Sequence, residues 1–192
     1  MDKLLSYLEN LQIPVSAELS TALQGFKSTT FKRGALFVRE GRIANQMAFI
    51  TKGHIRHFYN IDGNEYTRWV SLENSFVTAF ASFVTQQPSK ENLECIEDCE
   101  LLVMERQAFF QLRDTYPQIL QLWISSIEYE MVGYEERVCQ LITTDSEKRY
   151  LDFLERYPVQ AAQVPQKYIA SMLGIAPRHL SRIRKKLAQG RK

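Results

Sequence analysis

A single glycine near the end of the chain restricts its fold more than any other residue. Gly174 separates two stretches that read at helical spacing, residues 166–173 and 177–187. Ile169, Ala170 and Leu173 give the first stretch one apolar stripe, and Leu180, Ile183 and Leu187 give the second its own. The chain must turn sharply between them, and a residue without Cβ takes the left-handed conformation at little cost. Ile175 plugs the corner. Pro177 suits the first turn of a new helix, where its missing N–H loses no partner. Ala170 lets the two helices cross closely. Small residue, glycine turn and apolar plugs in this order predict a helix-turn-helix.

Charge gives that motif a partner. Residues 156–192 hold nine Lys or Arg and no acid, while residues 1–155 hold the other fifteen against all twenty-two acids, giving +9 and −7. A basic module on an acidic body calls for a polyanion at one end only. Cys95, Cys99 and Cys139 are too few for a disulfide framework. No run approaches ~18 apolar residues, and Met1-Asp2-Lys3 opens no signal peptide, so a cytoplasmic protein without membrane association is expected.

Upstream, residues 2–11 and 16–24 read as short helices, the second capped by Ser16. From about residue 26 to 105 the apolar period becomes two. Gly34, Gly41, Gly53 and Gly63 punctuate short strands, as in a small antiparallel barrel or sandwich, and Asp62-Gly63 signals a tight hairpin. Helix then returns, first briefly around Phe109, Phe110 and Leu112, then at length. On the long helix Leu120, Ile124, Ile127, Met131, Tyr134, Val138 and Leu141 alternate at spacings of four and three. That seam predicts pairing with a second helix, hence a homodimer. Thr144 and Glu147 form a capping box for a further helix, with Tyr150, Leu151, Leu154 and Tyr157 as its stripe and Pro158 as its stop. Residues 159–164 then read as a linker. The expected fold class is α+β: an N-terminal antiparallel β-roll (1–116), a dimerisation helix (117–143) and a C-terminal helix-turn-helix domain (144–192).

Taken in this order, the chain resembles the CRP/FNR family of bacterial regulators, which includes the cyclic-AMP receptor protein. The resemblance is carried by Lys32-Arg-Gly-Ala-Leu-Phe-Val-Arg-Glu-Gly41, Phe49-Ile-Thr-Lys-Gly53, Glu97-Asp-Cys-Glu-Leu101 and the terminal motif. The short C-terminus is similar to members common in Bacteroidetes-type bacteria. The resemblance implies a cyclic-nucleotide-binding-like jelly roll, a palindromic DNA operator, RNA polymerase as a partner and a possible small-molecule effector. Cyclic-AMP-binding members hold the ribose with Gly-Glu and the phosphate with an arginine. Here Thr78-Ala79 replaces the first pair, and Ser89-Lys90 aligns with the second. Without a guanidinium fork the phosphate loses a bidentate contact. An effector pocket at Thr78, Ala79, Ser82, Ser89 and Lys90 is therefore not expected to use cyclic AMP. The chain ends soon after the second helix, so no β-wing is expected, and Arg191 and Lys192 are placed to reach the DNA backbone.

On the second helix Arg178, His179 and Arg182 face away from the apolar stripe and are the expected base readers, Arg182 at guanine. Ser181, Arg184, Lys185, Lys186, Gln166 and Lys167 are the expected phosphate contacts. His54 and His57 read as structural, and no metal site or cofactor is expected from the scattered His and Cys. No catalytic constellation is present, so the chain is not expected to be an enzyme. Two other readings fit parts of the sequence: a ligand-binding module whose DNA binding has lapsed, and a protein-interaction adaptor.

Overall fold

The alternating, glycine-punctuated region becomes eight antiparallel strands in two four-stranded sheets. The computed structural model describes residues 1–189, and the backbone contacts expected of Arg191 and Lys192 lie outside the described residues. In chain order the strands are β1 (Lys27–Phe31), β2 (Leu36–Val38), β3 (Gln46–Lys52), β4 (Ile55–Ile61), β5 (Asn64–Ser71), β6 (Phe76–Val77), β7 (Asn92–Cys95) and β8 (Cys99–Glu105). One sheet runs β1-β8-β3-β6 and the other β2-β7-β4-β5. This is the expected jelly roll. Asp62 and Gly63 both take positive φ, 51° and 81°, as a two-residue turn matching the strand twist requires. Between β6 and β7 the chain inserts a six-residue helix, α3 (Phe80–Thr85).

Two N-terminal helices, α1 (Asp2–Asn10) and α2 (Ala17–Leu23), close one end of the roll. Ser16 caps α2 by accepting the Leu19 amide at 3.2 Å. Leu4, Leu8, Leu19 and Leu23 join Phe49, Ile50 and Leu101 in one core. Helix α4 (Arg106–Thr115) seals it with Phe109 and Leu112. Then comes the long helix, α5 (Pro117–Thr143), with proline in its first turn as sterics allow. Trp123 anchors it against Phe80, Phe83, Phe109 and Phe110.

Helix α6 (Ser146–Arg156) follows, capped one residue later than the spacing predicts. Asp145, extended at φ −75° and ψ 171°, accepts the Lys148 amide, while the Thr144 hydroxyl donates to Gln140 at the end of α5. Thr144 is thus engaged on the preceding helix, and the carboxylate takes the cap. The buried face of α6 is Tyr150 and Phe153, with Leu154 partly covered. Leu151 is exposed, because it sits about 100° around the helix from Tyr150. Residues 159–164 are not a linker either. Pro158 opens a helix, α7 (Pro158–Gln163), since proline is as good a starter as a stop and Ala161-Ala162 favour helix.

The motif at the C-terminus is α8 (Gln166–Met172) and α9 (Pro177–Gln189). Gly174 stands at φ 63°, its amide bonding to Ser171 and that of Ile175 to Ala170. This 5→2 and 6→1 pair is the Schellman ending, and Ile175 is buried beneath it.

Gly53 stands at φ 89° between β3 and β4. An added Cβ would lie 2.7 Å from the Cys99 sulfur and 2.9 Å from the Asp98 carbonyl. Gly34, at φ 82°, faces open space. Gly34→Ala should therefore cost only the left-handed penalty of ~1–2 kcal/mol, whereas Gly53→Ala should cost more than about 3 kcal/mol. Urea unfolding of the two variants checks the ordering.

Candidate nucleic-acid interface and effector cavity

Helix α9 is apolar on one side and cationic on the other. Leu180 and Ile183 are buried, and Leu187 packs at their edge. Gln166, Lys167, Arg178, His179, Ser181, Arg182, Arg184, Lys185 and Lys186 are all exposed. Arg178, Arg182 and Lys185 form no ion pair among the described residues. Lys186 differs, since its ammonium reaches back to Glu147 on α6 at 2.7–2.9 Å. It braces the reader against its mount.

That mount is tied at both ends. Arg149 on α6 donates to the carbonyls of Thr144 and Leu173, the C-cap residues of α5 and α8. A cation at two helix C-termini satisfies free carbonyls and faces the negative end of each dipole. Leu141 Cδ2 lies 3.4 Å from where a Cβ on Gly174 would sit, so the end of α5 touches the turn of the reader.

The reader also docks directly on the β-roll. The Thr67 amide of β5 donates to Ser171 Oγ of α8 at 2.8 Å. The Arg56 guanidinium stacks 4.5 Å from the Tyr168 ring, held by Thr67, Glu65 and Glu94. Val70 is fully buried in a cluster with Tyr150, Phe153, Ile169 and Ala170.

Behind β5 lies a cavity of about 530 Å³ between the roll, α1 and α5. Its walls are mostly apolar, with His57, Arg68, Ser71 and Thr78 among the polar groups. Arg68 reaches it through a β-bulge: His57 pairs with Trp69 and Phe58 with Thr67, leaving Arg68 as the extra residue. Arg68 Nε donates to Glu91 at 3.0 Å, and Nη2 donates to His57 Nδ1 at 3.1 Å. An arginine can only donate, so Nδ1 is the unprotonated ring nitrogen, and Nε2–H donates to Ser71 at 3.0 Å. Burial pushes the His57 pKa down, and the Arg68 charge adds to this against the pull of Glu91. Burial alone would raise the Glu91 carboxyl, but His57 and Arg68 outweigh it and hold the group below the usual carboxylate value.

Arg137 of α5 closes the cluster from above. It donates to the Arg68 carbonyl at 2.8 Å and lies over Trp69 and Tyr134. No carboxylate pairs with it among the described residues. Burial, then the like charge of Arg68, lowers its pKa.

Of the residues expected at the effector site, Thr78 alone lines this cavity. Its hydroxyl donates to the Gln46 carbonyl at 2.9 Å. Ala79 precedes α3, Ser82 bridges Ala44 and Gln87, and Ser89 bonds to the backbone of Glu91. Lys90 is exposed. These four residues do not line the cavity. His57, Arg68, Glu91 and Arg137 were not expected here; only an isolated arginine between Thr67 and Trp69 hinted at them. His54 and His57 point to different partners, His54 meeting Glu97 and Gln163.

On the seam, Leu120, Ile124, Met131, Tyr134, Val138 and Leu141 are exposed, Met131 at 62% and Val138 at 55%, and Ile127 is half-buried. Only Ile119 and Gly133 of α5 are buried.

Residues 28–116 match the family model of the cyclic nucleotide-binding domain. No curated protein matches the sequence significantly. Several solved structures share the fold. A CooA mutant from Carboxydothermus hydrogenoformans is 18% identical over 97% of this chain and 84% of its own, with a TM-score of 0.75. The c-di-GMP responsive global regulator CLP from Xanthomonas campestris is 19% identical over 91% and 93%, with a TM-score of 0.70. The catabolite activator protein from Thermus thermophilus is 18% identical over 92% and 85%, with a TM-score of 0.59.

His57 binds a proton more readily when unfolded, at its ordinary value of 6.5, than when buried. Its contribution to stability is therefore full above that pH and is lost as pH falls through 6.5 toward the lower folded value. Glu91 is lowered from 4.5, so its own loss belongs to the more acidic range. The urea midpoint should fall between neutral pH and pH ~5.5. In His57→Gln that fall should shrink.

Proposed function

We propose that this chain, with a cyclic nucleotide-binding domain over residues 28–116 and the CRP/FNR fold along nearly its whole length, is a homodimeric, sequence-specific transcription regulator. The observation that carries the reading is α9: an exposed cationic face on a helix whose other side is locked in a helix-turn-helix. Arg178, His179 and Arg182 read base edges, and Gln166, Lys167, Ser181, Arg184 and Lys185 hold phosphates. Lys186 contributes less, because Glu147 already holds it.

The exposed apolar row of α5 supports dimerisation. A second copy of the same helix would cover Ile124, Met131 and Val138 by knobs-into-holes packing. Two-fold symmetry would set the reading helices about 34 Å apart, one turn of DNA. RNA polymerase and a small-molecule effector complete the partners of this reading. Cyclic AMP is not the effector: Ala79 offers no acceptor to a ribose, and no arginine stands at Ser89-Lys90.

A DNA titration across salt concentrations should give a log–log slope of about −4 or steeper and preference for one palindrome over random duplex. A flat slope would instead favour the adaptor reading. Arg182→Ala should cost about 1–3 kcal/mol and relax sequence preference, while Lys185→Ala weakens binding to all duplexes alike. Equal effects of both variants on specific and random DNA would reverse the assignment.

Met131→Glu puts a charge into the apolar row without touching the core. It should yield a folded monomer by light scattering, with operator binding lost. A dimer that survives the substitution would place the interface elsewhere.

A further inference from the structure

We propose that the cavity between the β-roll and α5 binds an amphipathic organic monoanion, an apolar body ending in one carboxylate, with Arg68 receiving the head group. The proposal rests on reading the roll as an effector domain.

The cavity reaches from the surface of α5 into the core. Leu4, Leu8, Met47, Val77, Phe109 and Ile119 line it, and each is buried in the fold. A partner helix on the α5 seam would reach its rim at Ile127, Met131 and Tyr134. At about 530 Å³ the cavity falls in the usual range of small-molecule sites. Its mostly apolar lining favours an apolar body over a ribose and base, whose many polar groups cost more to take from water.

One end of the cavity is polar. Arg68 of β5 lines it, and Arg137 of α5 stands behind, donating to the Arg68 carbonyl. Glu91 is the carboxylate that pairs with Arg68, and the hydrogen-bond pattern makes His57 neutral. Glu130 also borders the cavity but is exposed to solvent, where its charge is screened. Arg68 Nη1 makes no hydrogen bond among the described residues, which leaves a donor for an incoming carboxylate. One free donor suits a head group with a single carboxylate. The bulge in β5 is what aims Arg68 at this end, and bulges recur where a strand must redirect one side chain toward a ligand.

Trp69 and Trp123, the chain's two tryptophans, both border the cavity and report on its occupancy. The experiment is a fluorescence titration of the full chain with decanoate, decanol and cyclic AMP. Decanoate should bind saturably and about tenfold tighter than decanol, the difference being one charged hydrogen bond. Cyclic AMP should bind more weakly than either. Equal binding of decanoate and decanol overturns the proposal, as does the absence of decanoate binding or tighter binding of cyclic AMP.

Arg68→Leu alone strands Glu91 and could unfold the roll. The paired variant Arg68→Leu/Glu91→Leu removes both charges, a replacement that folded proteins commonly tolerate. It should lose the carboxylate preference and keep its affinity for decanol, and a preference that persists overturns the assignment of Arg68. Operator binding measured on the same protein separates the two readings. DNA binding without decanoate binding defeats this proposal alone, and decanoate binding without DNA binding defeats the regulator reading.

Discussion

The second half of strand β5, from Thr67 to Ser71, is covered on both faces by different parts of the chain, and the arrangement of the rest depends on it. Val70 and the Thr67 amide belong to the reader, through the α6 and α8 cluster and Ser171. Arg68 and Ser71 belong to the cavity. A regular strand alternates its side chains, so neighbours serve opposite faces by default. The extra residue at Arg68 breaks that alternation and places a cation beside His57 and Glu91 without moving Thr67 off α8. Sensor and reader are therefore not two bodies on a tether. They share a strand, and a change at Arg68 acts one peptide away from the bond that seats α8.

Three guanidinium groups surround this strand, and each is satisfied differently. Arg56 has Glu65 and Glu94 as well as two aromatic faces. Arg68 has Glu91 and an imidazole. Arg137 has a carbonyl and two rings but no carboxylate among the described residues. Removing one partner of a buried pair costs far more than the pair itself contributes, because the charge that remains cannot return to water. Such a network resists gradual deformation and favours discrete arrangements. That property suits a device in which two states of one strand must be told apart.

The parts legible in the sequence were those set by local rules. Gly174 announced its turn because positive φ excludes most residues, and the strands showed themselves by period and glycine spacing. The apolar row on α5 could be read from its spacing, and none of the described residues covers Met131 or Val138. Failures came where two local rules competed. Thr144 and Asp145 can each cap a helix, and the cap fell to Asp145 because the Thr144 hydroxyl already donates to the preceding helix. Pro158 can end one helix or begin another, and here it does both. The cavity was illegible for a different reason. His57, Arg68 and Glu91 come from three strands or their flanks, and a bulge, which leaves no mark in composition, brings them together.

The α5 helix joins these constraints into one mechanism under the proposed dimer. Its apolar row faces the second copy, Tyr134 lies under the Arg68 and Arg137 guanidinium groups, and Leu141 touches the turn at Gly174. Within seven residues, then, the helix passes from the interface past the cavity to the reader. An anion at Arg68 would draw on the cation that Tyr134 covers, and Tyr134 belongs to the same row that packs between copies. A shift of that ring cannot be absorbed locally, because close-packed interiors transmit displacement instead of compressing. At the far end, Arg149 fixes the termini of α5 and α8 to one guanidinium, so the helix and the reader turn together. Effector affinity and DNA affinity are then two readings of one equilibrium between dimer arrangements, and each must bias the other by the same factor.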